Sequence, residues 1–188
     1  MNPISEPTDS TPDATLHDRR ETLMREIRGA GNSAATALEV YRTALARVTP
    51  LVDATFASVF LRDDDAPHLL RLACAQNWPQ SSARFLSRLR IREGRGPTGQ
   101  AVAQGTPVEV ADVFGDPELE EWWEPARELG FVAMTAHPLT VGDRVVGSIS
   151  FYFSDPQPLD DDVRSLLATA AREMAAAAES LHRPSDER

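Results

Sequence analysis

Residues 131–153 read FVAMTAHPL, then TVGDR, then VVGSISFYF: two strongly apolar runs joined by a short polar turn. Gly142-Asp143 is the kind of dipeptide that supplies the positive φ of a tight hairpin. Both runs are apolar at nearly every position instead of alternating, so both faces of the hairpin must be covered. That places it at the centre of a sheet. The rest of the chain has to supply the neighbours and the cover.

Two strands are predicted upstream, at 55–62 (TFASVFLR) and 68–76 (HLLRLACAQ), around an acidic turn ending in Ala66-Pro67. Leu70, Leu72 and Cys74 share a face in strict alternation, which reads Cys74 as a small core hydrophobe. After Trp78-Pro79 the run SSARFLSRL predicts a short helix. Residues 92–113 (REGRGPTGQAVAQGTPVEVADV) then give a glycine-rich turn, a short helix near 98–104 and a strand near 108–111. An acidic loop and helix over 114–129 carries Trp122 and Trp123.

The ends are helical. Residues 14–28 form a charged helical segment interrupted by Gly29 and Gly31, and Asn32-Ser33 can cap a second helix that Pro50 ends. Ile27, Leu38 and Leu45 fall on a three-four spacing, as do Leu167, Met174 and Leu181 in a closing helix over 160–181. Both seams are narrow, which predicts that the end helices cover the sheet and pair two copies of the chain into a homodimer. The expected division is a disordered tail at 1–13, a helical extension and possible dimerisation segment at 14–31, a folded domain at 32–182 and a tail at 183–188. The element order is that of an α+β fold on an antiparallel sheet.

Composition removes several classes. A net charge of -10 disfavours nucleic acid. A single cysteine excludes an internal disulfide and a multi-thiolate metal site. The polar opening residues do not read as a signal peptide and no apolar run reaches membrane-spanning length, so a cytoplasmic protein with no membrane partner is expected.

Three blocks, at 45–65, 93–113 and 131–178, resemble in this order the GAF domain, a small-molecule sensor module related to PAS. The resemblance spans roughly 33–182. It implies a GAF-like twisted antiparallel sheet with the first and last helices on one face and a ligand pocket, under short helices and a lid, on the other. It further implies a sensory or regulatory role in signal transduction, with a small molecule or a signalling protein as partner and no catalysis. His137 stands where the family more often has an aliphatic residue.

The candidate pocket residues are Thr98, Trp122, Trp123, Thr135, His137, Ser148 and Ser150. Thr98 starts a helix whose free N–H groups suit a carboxylate, although Gly94, Gly96 and Gly99 read more simply as a tight turn. Trp122 and Trp123 can stack on a flat ligand or anchor the lid. Ser148 and Ser150 either line a polar pocket or let a helix approach. His137 is a haem or metal ligand of a gas or redox sensor, or a satisfied core histidine. A covalent bilin is not expected, since the lid has no cysteine. The family's methionine sulfoxide reductases place a cysteine in the turn held here by 96–99, and this chain has Thr98 there and no second thiol. The family's cyclic-nucleotide signature includes a lysine, and this chain has none.

Overall fold

The computed structural model describes residues 12–156 and 159–181, with side chains from residue 18 onward. The expected tail at 183–188, His182, and residues 1–11 of the expected leading tail lie outside the described residues.

The central hairpin is β5 (Ala133–Val141) and β6 (Arg144–Phe153). Gly142 takes φ 58° and Asp143 keeps a negative φ, the pattern of a two-residue turn with glycine first. Around it stand β1 (Phe56–Arg62), β2 (Leu69–Gln76), β3 (Arg90–Arg92) and β4 (Val108–Val110). The sheet runs β3-β2-β1-β6-β5-β4 and every pairing is antiparallel. The hairpin is therefore interior, paired on both sides. β3 is an edge strand of three residues inside a stretch rich in arginine, and three residues are too few for a hydrophobic period to show.

One face is covered by three helices: α1 (Pro12–Ser33), α2 (Ala37–Leu51) and α6 (Asp161–Ser180). Val59, Ile149, Phe151 and Phe153 meet Leu45, Leu167 and Met174 in this layer. α1 runs straight through Gly29 and Gly31. A β-carbon on Gly31 would lie 2.7 Å from that of Ala177, so the glycine is what lets α1 close on α6. Arg28 adds a paired contact to Glu173 at 2.7 Å and 2.8 Å across the same helix pair. The second helix starts later than the sequence suggests. Its cap is Thr36, which accepts from Glu39 N, while Glu39 accepts from Ala35 N. Pro50 sits inside its last turn. Asp160 caps α6 through Val163 N at 2.7 Å.

The residues of the expected dimer seam pack within the chain. Ile27, Leu45, Leu167 and Met174 are buried within the chain and face one another and the sheet; Leu38 and Leu181 are half-buried. Leu23, Met24 and Ile27 of α1 belong to this core.

Two bulges reset the alternation. β1 and β2 shift register between Val59 and Phe60, so Cys74 joins the helix-side core while Leu70 and Leu72 pack on the other face. β5 and β6 shift between Leu139 and Thr140, which turns Val146 to the helix side and leaves Ser148, Ser150 and Tyr152 on the opposite face.

Candidate functional site

The second face carries α4 (Gly96–Gln104) and a lid formed by α3 (Ala83–Arg88), two 3-10 turns over 113–119 and α5 (Glu120–Leu129). The turn before α4 is closed by Gly94 N donating to Gly99 O at 2.8 Å. A β-carbon on Gly99 would collide with the Arg92 carbonyl, so this position admits only glycine if the helix is to start here. α4 has no side-chain cap, and Gly96, Pro97 and Thr98 of its first turn face a cavity between sheet and lid.

The cavity measures about 40 Å³. Its floor is an aromatic cluster: Phe56 stacks on Tyr152 at 4.8 Å, Trp78 lies against Phe56 at 4.6 Å, and Phe131 meets Tyr152 edge-on at 5.0 Å. Its roof is Trp122, Pro125 and Leu129 from α5, with Phe85 from α3 at the rim. The polar groups are hydroxyls at the inner end. Thr98 Oγ1 and Ser150 Oγ are 2.9 Å apart, and Ser58 Oγ and Tyr152 Oη 3.3 Å. Burial raises the Tyr152 phenol above its ordinary range, so it stays protonated. At the mouth Arg95 pairs with Glu121 at 3.0 Å, joining the turn before α4 to α5. Glu118, Glu120, Glu124 and Glu128 face solvent on the same lid.

The seven candidate residues separate. Thr98 and Trp122 line the cavity, and Ser150 sits directly behind Thr98. Trp123 anchors the lid by donating Nε1–H to Val113 O at 2.7 Å, beneath an Arg127–Phe114 cation–π contact of 5.1 Å. Ser148 is buried farther back along β6 and donates to His137 O at 3.1 Å. Thr135 and His137 lie on the opposite face, under the helices. His137 Nε2 is 3.1 Å from Thr135 Oγ1, its Nδ1 has no partner, and burial pushes the imidazole down to about 4. That position removes His137 as a ligand for a group held in the cavity.

Sequence reasoning missed Tyr152, Phe131, Trp78 and Met134 as lining residues. Tyr152 was reachable, since it alternates with Ser148 and Ser150. Phe131 was not, because the face alternates normally only from Ala133 onward and Phe131 falls with the cavity cluster.

The family model for the GAF domain matches residues 34–179. The chain belongs to the GAF domain family. Solved GAF-type structures share its architecture at low identity. The GAF domain of an Acinetobacter phosphoenolpyruvate-protein phosphotransferase is 14% identical with a TM-score of 0.71, covering 89% of this chain and 95% of that one. A Geobacter sulfurreducens GAF domain/HD domain protein is 15% identical with a TM-score of 0.67, covering 81% and 97%. The free methionine-R-sulfoxide reductase of Neisseria meningitidis, solved with its substrate, is 20% identical with a TM-score of 0.73, covering 97% and 98%. No curated protein matches the sequence. In this GAF domain Cys74 lies on the helix-side face, 7% exposed, and burial raises its thiol to about 11, the reverse of what a reactive thiolate requires.

Proposed function

We propose that this GAF domain is a sensory or regulatory module that binds a small molecule in the cavity between the sheet and the α4–α5 lid, without catalysis. The observation that carries the reading is the cavity itself: an aromatic floor, a helical roof and a few placed polar groups, the usual make-up of a small-molecule site. GAF domains are mostly sensory parts of signalling proteins, which supports the same role here. Against catalysis stands the disposition of the reactive groups. The buried thiol and the buried imidazole both face away from the cavity, and the cavity hydroxyls have no base beside them.

Two copies associate, in this reading, through the outer side of the helix layer, since the apolar seam is used within the chain. For a signal, ligand binding must favour one arrangement of lid and helices by differential affinity. Native mass spectrometry of the protein purified from its own host tests both parts. A bound small molecule on a dimer is expected. A ligand-free protein that no small molecule in a thermal-shift library stabilises would remove the sensory reading, and a monomer by light scattering would remove the pairing.

A further inference from the structure

We propose that the cavity takes a small, uncharged, flat and mainly apolar molecule whose hydrogen-bond acceptor receives the indole N–H of Trp122. The proposal rests on the small-molecule reading above and adds the chemistry of the ligand.

The three tryptophans make the case. Trp78 Nε1 donates to Ala57 O at 2.9 Å and Trp123 Nε1 donates to Val113 O at 2.7 Å. Trp122 Nε1 is buried and has no partner among the described residues. An indole nitrogen is a donor only, so the missing group is an acceptor. Of the three, the unsatisfied one belongs to the roof of the cavity. The uncapped first turn of α4, at Gly96 and Thr98, presents further donors to the same space. The Thr98, Ser150, Ser58 and Tyr152 hydroxyls already serve one another, which leaves the indole as the group in need.

The same walls disfavour a charged ligand. Among the described residues Arg95 is the one charged side chain lining the cavity; it is largely exposed and already pairs with Glu121. A carboxylate inside would meet the N–H groups of the first turn of α4 but, among the described residues, no unpaired side-chain cation, and the lid outside is acidic, so a neutral acceptor is favoured over it. An ammonium would find no carboxylate among the lining residues. An uncharged carbonyl or heteroaromatic nitrogen lone pair fits, on a body flat enough to lie against Trp78, Phe131 and Tyr152.

At about 40 Å³ the closed cavity holds little more than water, well short of the few hundred Å³ of an occupied ligand site. Binding therefore opens the lid. Phe85 on α3, 44% exposed at the rim and the one exposed large hydrophobic among the described residues, is the side chain placed to close over an entering ligand.

Three matched probes test the proposal on the full-length, ¹⁵N-labelled protein: acetophenone (neutral, with an acceptor), ethylbenzene (no acceptor) and benzoate (anionic). The indole N–H resonance of Trp122 is assigned by its loss in Trp122→Phe, or by elimination with Trp78→Phe and Trp123→Phe where that variant does not fold. Acetophenone is expected to shift this resonance saturably and to bind about tenfold more tightly than ethylbenzene, the scale of one well-made buried hydrogen bond. Benzoate is expected to bind more weakly than acetophenone. Ethylbenzene or benzoate binding as tightly as acetophenone, or acetophenone binding without moving the Trp122 N–H, overturns the acceptor and charge assignment while leaving a small-molecule cavity in place. Failure of all three probes to move any amide or indole N–H resonance of the lining residues, including the Trp78 indole, removes the cavity reading along with it.

Discussion

His137 sets a measurable acid limit on the fold. It is 1% exposed among the packed helices, its Nδ1 lacks a partner, and burial takes its value from 6.5 to about 4. A second proton on the ring would bury both a charge and an orphaned N–H. A histidine whose folded value lies below its unfolded value binds more protons when unfolded, so stability is fully present above about 6.5 and is lost as the pH falls toward about 4. Integrating the difference in bound protons from about pH 7.5 down to about pH 5 gives a loss of about 2 kcal/mol, rising to about 3 kcal/mol below the folded value. Glu93 and Glu173 are held below the ordinary carboxylate range by Arg62 and Arg28, so they titrate below this window. Urea unfolding at a series of pH values, on the wild type and on His137→Gln, separates the contribution. Wild-type stability should fall by about 2 kcal/mol between those two pH values while the variant stays nearly level, whatever its absolute stability. Equal slopes in the two proteins would show that His137 does not carry the effect.

Three further predictions follow from the packing. Ile27→Ala, at a fully buried site where α1 meets α2 and α6, should cost about 2–5 kcal/mol in urea unfolding without changing the mass by light scattering; a change in mass with stability intact would mean that α1 serves association instead. Gly99→Ala drives a β-carbon into the Arg92 carbonyl and should cost about 1–3 kcal/mol, with the largest amide shifts in α4 and the turn before it; an unperturbed spectrum would contradict the close approach. Arg62→Met removes the two-pronged contact to Glu93 and the bonds to the Val145 and Pro67 carbonyls, at a cost of about 1 kcal/mol because solvent screens the pair. Since Arg62 holds Glu93 below the ordinary carboxylate range, the ion-pair part of that contribution is present above the range and lost as pH falls below it, so the wild-type advantage should shrink in acid to what the two carbonyl bonds supply.

The sequence was most readable where burial is two-sided and long. The hairpin of β5 and β6, the strands β1, β2 and β4 and the helices at the two ends follow from apolar runs and turn residues. Faces were harder. A bulge moves every later residue to the other side, and the bulges near Val59 and Leu139 leave no mark in composition. Cys74 therefore changed sides. Polarity is no guide to the face either, because Thr135 and His137 are candidate pocket residues in the sequence and yet lie side by side under the helices, Oγ1 to Nε2. The helical seams show the reverse problem: three-four spacing reports that a face is buried, but not whether its own sheet or a second copy buries it.

Which side of the sheet yields to an entering ligand follows from how each is held. On the helix side Ile149, Phe151, Leu167 and Met174 are all fully buried, and a close-packed layer of that kind resists small displacements. The hairpin between the layers is paired along both edges, so moving it breaks ladder hydrogen bonds to β1 and β4 together. On the lid side the restraints are lighter. α3 is six residues long with one buried side chain, and the ion pair across the mouth, Arg95–Glu121, is exposed enough to contribute little. In the proposed reading, growth of the cavity from about 40 Å³ to ligand size would come from outward movement of α3 and α5, with the sheet and the three helices behind it as the fixed wall.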